Sequence, residues 1–175
     1  FGSYTLHDKR YDKHHFLIHD YFFAKTLDKV RPGGIVAFIT SKGTLDKQNP
    51  SVRKYIAERA ELIGAIRLPN NAFLANAGTQ VTTDILFLQK REKLVDVSTP
   101  APDSGLEWLH LVQTEDGVPI NQYFLEHPEM MLGQMAFDRS MYGNAKETTC
   151  KPLEGEDLSD LLEKAVGNLH AQYTP

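Results

Sequence analysis

Residues Ile35 to Thr40 read IVAFIT, six residues without polar alternation, entered directly from Arg31-Pro32-Gly33-Gly34. A strand half in water alternates apolar and polar side chains, whereas an unbroken β-branched and aromatic run fits a strand covered on both faces. Such a strand belongs in the middle of a layered α/β fold. The preceding stretch agrees: in residues 14 to 30, HHFLIHDYFFAKTLDKV, Leu17, Ile18, Tyr21, Phe22, Ala24 and Leu27 recur at helical spacing, with Asp12 available near the start and Pro32-Gly33 past the end.

After the first strand, Ser41-Lys42-Gly43 forms a loop, and SVRKYIAERA forms a short amphipathic helix through Val52, Tyr55, Ile56 and Ala60, with Pro50 at its first position. ELIGAIRLP, from Glu61 to Pro69, is a second strand and VTTDILFLQKR, from Val81 to Arg91, a third. Between them NNAFLANAGTQ is long for a hairpin connection, and loops of that length in a small domain are more often functional than ornamental. Residues 94 to 105, with two prolines and small polar residues after Val95, read as a linker. Beyond it come a half-exposed strand in LEWLHLVQ with Trp108 as a core residue, a turn at Asp116-Gly117, and a short helix in INQYFLEHPEMML broken near Pro128. Two short strands around Tyr142-Gly143-Asn144 follow, then an amphipathic helix through Leu158, Leu161, Leu162, Ala165, Val166 and Leu169. The organisation expected is 1–93, a linker at 94–105, and a small α+β unit at 106–175.

With 175 residues and 41% hydrophobic content, the chain is large enough for one domain with a real core and a smaller appendage. Cys150 is the single cysteine, which excludes an intramolecular disulfide and a zinc site built on several thiolates, and a reducing, cytoplasmic setting is expected. No apolar run approaches the roughly 20 residues needed to span a bilayer. The net charge of -4 conceals a division, with 15 Lys and Arg against 9 Asp and Glu up to Lys93, and 4 against 14 thereafter. A basic half facing a polyanion, joined to an acidic half with another role, is one reading; solvated surface on both is the other.

Several side chains are candidates for chemistry. Lys42, Lys47, Arg53 and Lys54 lie in or just after the first loop and could meet DNA phosphates. Asn70, Asn71, Asn76, Thr79 and Gln80 in the long loop carry paired donors and acceptors suited to base edges, although turns also favour Asn. Phe73 could wall a pocket for such a base or simply pack. His15 and His19 have i, i+4 spacing, but no third ligand is identifiable and Phe16 stands where a metalloprotease helix carries Glu, so no metal site is assigned.

The order helix, R-P-G-G, buried strand, loop, helix, strand, long loop, strand, together with R-L-P-x-x-x-F at Arg67 to Phe73 and T-x-x-I-L-F-L-x-K from Thr82 to Lys90, resembles the carboxyl-terminal half of the class I methyltransferase fold. The form it resembles is that of DNA adenine methyltransferases of restriction-modification type, over residues 1 to 91. The resemblance implies a partial Rossmann-like sheet: a last parallel strand, Ile35 to Thr40, and an antiparallel closing hairpin, with Val81 to Arg91 lying between Ile35 to Thr40 and Glu61 to Leu68. It also implies DNA as partner, with target-base flipping, because an amino group inside a paired duplex is out of reach. Phe1 matches the aromatic member of the family's Asp/Asn/Ser-Pro-Pro-aromatic signature, whose other members would precede it.

The S-adenosylmethionine site of the family would also lie upstream. Gly33-Gly34 precede a strand, whereas a cofactor loop follows one. The expectation is therefore a chain inactive alone that binds no S-adenosylmethionine, belongs to a longer protein that does, binds DNA weakly, and is prone to self-association through the edge of Ile35 to Thr40. Cytosine-amino methylation uses a similar signature. The alternatives are a non-catalytic DNA- or protein-binding scaffold of the same shape and an unrelated α/β enzyme.

Overall fold

In the computed structural model, which describes residues 6–99, 104–138 and 147–170, helix α1 runs Ile18–Lys29. It begins later than the apolar spacing suggests, because Asp12–His14 form a separate 3-10 turn that ends at His15 with φ 50. Asp12 therefore caps nothing in α1; it accepts a hydrogen bond from the Asp8 backbone amide instead. His15 consequently lies outside the helix that carries His19, which removes the shared face on which a metal reading would rest.

α1 leaves through Pro32-Gly33-Gly34. Gly33 has φ 73, and a Cβ on Gly34 would run into the Val30 side chain and the Arg31 carbonyl, so this exit into strand β1, Ile35–Ser41, requires glycine at both positions. A four-residue helix α2, Gly43–Asp46, and helix α3, Ser51–Arg59, lead to strand β2, Ala60–Leu68. Asn49 caps the Ser51 amide with its side chain. The long loop contains a single turn of helix α4, Leu74–Ala77, closed by left-handed Gly78, before strand β3, Thr83–Lys90.

The three strands form an antiparallel sheet in the order β1-β3-β2, which is the order expected from the resemblance. Helices α1 and α3 cover one face, with the Phe23 and Phe38 rings 4.5 Å apart and Ile56 and Ala57 fully buried. The expectation that β1 is covered on both faces is corrected: Val36 and Thr40 are buried, but Ile35 and Ile39 are each 53% exposed. Among the described residues no element lies over that part of the second face, and none pairs with the outer edge of β1.

Past residue 105, the LEWLHLVQ stretch forms a 3-10 turn, Glu107–Leu109, and only then a short strand β4, Leu111–Gln113. β4 pairs with β5, Pro119–Asn121, across left-handed Gly117. The expected helix from Ile120 onward is divided into β5, helix α5, Gln122–Glu126, and a 3-10 turn, Pro128–Met130. Strands β6, Gly133–Phe137, and β7, Thr148–Pro152, pair antiparallel as expected; the turn residues Tyr142-Gly143-Asn144 lie outside the described residues. Helix α6, Leu158–Gly167, is capped by Asp157, whose carboxylate accepts from the Ser159 and Asp160 amides.

Trp108, Leu109, Ile120, Phe124, Cys150 and Ala165 belong to the same apolar cluster as Leu45, Ile66 and Leu86. The acidic half and the basic half thus share one core, which Val97 of the intervening stretch also enters at 3% exposure. The chain is a mixed α/β fold with small antiparallel sheets. No helix among the described residues is long and apolar enough to cross a membrane.

Candidate functional site

The register of the sheet brings Ser41, Thr83 and Leu68 side by side. Adjacent strands lie about 4.8 Å apart. The end of β1, the start of β3 and the end of β2 therefore converge on one rim of the sheet, and with them the two loops singled out from the sequence. Lys42 stands at the N-terminus of α2, its backbone amide donating to the Thr82 carbonyl at 3.1 Å. At this rim Thr83 keeps its hydroxyl buried without a hydrogen-bond partner among the described residues, whereas Thr82 accepts from the Cys150 amide at 2.8 Å.

The loop after β2 is held from behind. The Asn70 amide nitrogen of the backbone donates to the Cys150 carbonyl at 2.7 Å, and its side chain donates to the Thr149 hydroxyl at 3.0 Å. Asn70 is thus an anchor of the loop. Asn71, Asn76, Thr79 and Gln80 are exposed, and Phe73 is half-buried against the core.

The four cations separate into different environments. Arg53 is 1% exposed and donates to the Leu109 and Lys47 carbonyls, so it is a core residue and out of reach of a phosphate. Lys47 is ion-paired at 3.2 Å with Asp20, itself 2% exposed and within 3.2 Å of His19. Burial lowers His19 below its ordinary value against the opposing pull of Asp20. Lys54 is exposed and Lys42 half-buried, which leaves these two of the four as surface cations. Phe1 lies outside the described residues.

Directly beneath the rim lies a cluster that pattern reasoning did not single out. Arg67 of β2 is opposite Asp84 of β3 and makes two hydrogen bonds to its carboxylate, at 2.8 and 2.9 Å, and two more to Asp46 at the end of α2, at 2.8 and 3.0 Å. Arg67 and Asp84 are fully buried, and the guanidinium lies 4.3 Å from the Phe124 ring centroid. Burial alone would lower the guanidinium pKa, but the two carboxylates outweigh it and hold it above its ordinary value; burial raises Asp84 against the pull of Arg67. Lys42 is close enough to favour ionised Asp84. The signal for this cluster was present as an Arg in AIRL and an Asp in TTDILF, single charges inside apolar strands, which are almost never fully buried unless paired.

Residues 4–102 match the family described as N-6 DNA Methylase. The chain belongs to the N-6 DNA methylase family. Over 71 residues it is also 35% identical to the "Defense against restriction protein B" of Escherichia phage P1, a stretch that covers 40% of this chain and 3% of that much longer protein. No solved structure matches the chain significantly. The rim of the sheet, with Lys42, Asn70, Phe73 and Thr83, lies wholly inside the part matched to the N-6 DNA methylase family, whereas β4 to α6 lie beyond it.

Proposed function

We propose that residues 1–93 form the base- and DNA-facing half of a class I, S-adenosylmethionine-dependent adenine-N6 methyltransferase domain. In this reading β1, β3 and β2 are the last three strands of a Rossmann-like sheet, 94–105 is the connection, and 106–175 is an acidic extension packed on it. The observation that carries the reading is the β1-β3-β2 order, with both neighbours of β3 antiparallel, in a chain of the N-6 DNA methylase family. The rim where Ser41, Thr83 and Leu68 meet is then the DNA-facing end. Lys42 and Lys54 neutralise backbone phosphates there, while Asn71, Phe73 and Thr79 face an extruded base, which they contact through its polar edge and its ring face. Phe1 is the stacking aromatic of the catalytic signature.

S-adenosylmethionine supplies the methyl group in this chemistry, and the residues present do not fit it: the adjacent Gly33-Gly34 pair precedes a strand, whereas a cofactor loop follows one. No step is therefore assigned to this chain beyond holding DNA and base. The positioning that accounts for much of the rate of a group transfer needs donor and acceptor together. These 175 residues alone should accordingly transfer no methyl group.

Fluorescence anisotropy with a labelled adenine-containing duplex tests the reading, alongside calorimetry with S-adenosylmethionine. Binding that disappears with rising salt, weakens on Lys42→Ala and Lys54→Ala, and is accompanied by no heat from the cofactor is the expected result. Cofactor binding or methyl transfer by the chain alone contradicts the half-domain reading. A second reading, a non-catalytic binding module of the same shape, draws support from the printed name of the phage P1 relative, which describes defence against restriction. Persistent failure of a longer polypeptide containing the upstream half to bind S-adenosylmethionine would favour it.

A further inference from the structure

We infer that Asn121, which lies beyond the part matched to the N-6 DNA methylase family, is a positioning residue for the Lys42 loop. The inference rests on the reading of Lys42 as a phosphate contact. α2 is a single four-residue turn, too short to persist through its own hydrogen bonds. Its last carbonyls have no partners within the turn.

Asn121 supplies what is missing. Fully buried, it donates from its side-chain amide to the Leu45 carbonyl at 2.9 Å and to the Trp108 carbonyl at 2.7 Å. Its backbone amide donates to Asp46 at 3.1 Å, on the carboxylate oxygen that also accepts from Arg67. The remaining side-chain oxygen caps α5 by accepting from the Tyr123 amide at 3.0 Å. One residue thus joins the end of α2 to the 3-10 turn at Trp108 and to the start of α5.

The start of α2 is fixed on the other side by the Lys42 amide on Thr82 and by the contact between the Thr40 and Thr44 hydroxyls at 2.9 Å. With both ends held, the backbone from which the Lys42 side chain departs is fixed. The acidic half therefore contributes to the DNA-facing rim, and its excess of acidic residues, 14 against 4 basic, does not exclude it from that role.

Asn121→Ser separates this role from that of a helix cap. A serine still caps the Tyr123 amide but is too short to reach Leu45 and Trp108. The variant should fold, with α5 intact, while the amides of Leu45, Asp46 and Lys47 exchange faster with solvent. In duplex binding it should reproduce Lys42→Ala: affinity about eightfold lower near 0.1 M salt and a salt slope smaller by about one. The double variant should bind no more weakly than Lys42→Ala, whereas Asn121→Ser and Lys54→Ala should multiply. Unchanged amide protection at 45–47 in folded Asn121→Ser, or losses that multiply with those of Lys42→Ala, would overturn the inference. Should the unsubstituted protein bind no DNA, the functional reading fails, and hydrogen exchange at 45–47 alone decides whether Asn121 fixes the loop.

Discussion

Replacing Arg67 by Met keeps the approximate volume and the contact with Phe124, but removes all four hydrogen bonds from the buried carboxylate of Asp84 and the part-buried one of Asp46. Asp84 is then a fully buried anion that has lost its ion-pair partner, while Asp46 retains the Asn121 amide. Removing one partner of a buried ion pair costs about 3–5 kcal/mol, because the remaining charge stays desolvated. For a chain of this size each kcal/mol corresponds to about 2–4 °C in Tm, so a fall of roughly 6–20 °C is expected. Urea unfolding followed by far-UV circular dichroism gives the free energy, provided the slope m is unchanged. Arg67→Met/Asp84→Leu should recover part of the loss, since it removes the stranded anion with the guanidinium. If Arg67→Met costs less than about 1 kcal/mol with m unchanged, the cluster is not a desolvated ion network and the account of the rim's support is wrong.

Cys150 is fully buried and its thiol is pushed up to about 12, chiefly by burial, so it should resist Ellman's reagent in the native protein at pH 8 and react at once after unfolding in urea. Burial depresses His19 below 6.5, so its neutral form stabilises the fold above that value and the contribution is lost as pH falls through the depressed pKa. The Tm of the unsubstituted protein should therefore drop more steeply than that of His19→Gln below about pH 6.5; parallel curves would show that His19 contributes nothing. The open edge of β1, with Ile35 and Ile39 exposed beside it, should give concentration-dependent self-association in analytical ultracentrifugation. Ile39→Lys should suppress it, and a monomer at all concentrations for both proteins would remove the edge as an association site.

The elements of the first half were legible because their patterns are local. The R-P-G-G exit, the amphipathic spacing of Val52, Tyr55 and Ile56, and three apolar runs fixed two helices and three strands to within a few residues. The strand order came from the family resemblance, since no periodicity distinguishes β1-β3-β2 from other orders. Burial was misjudged where it depends on a neighbour: IVAFIT is apolar on both sides, yet the described residues cover only Val36, Phe38 and Thr40. Arg53 was misread for a related reason. Surface and core cations look alike in sequence, and only the Leu109 and Lys47 carbonyls draw this one inward. In the acidic half, short strands and 3-10 turns of three residues carry too little period to separate. Asn121, which ends strand β5 and caps helix α5, resembled one more polar position on the short helix read from Ile120 to the break near Pro128.

The proposed DNA-facing site is the rim where β1 and β2 end and β3 begins. Chemical-shift mapping on ¹⁵N-labelled protein, titrated with a short duplex carrying one unpaired adenine, tests it directly. Perturbations should concentrate at Ser41 to Thr44, Asn70 to Phe73 and Thr79 to Thr83, and should vanish at high salt. Perturbations confined to the opposite end of the sheet, at the groove lined by Arg31, Gly33, Lys90 and Lys93, would contradict the assignment.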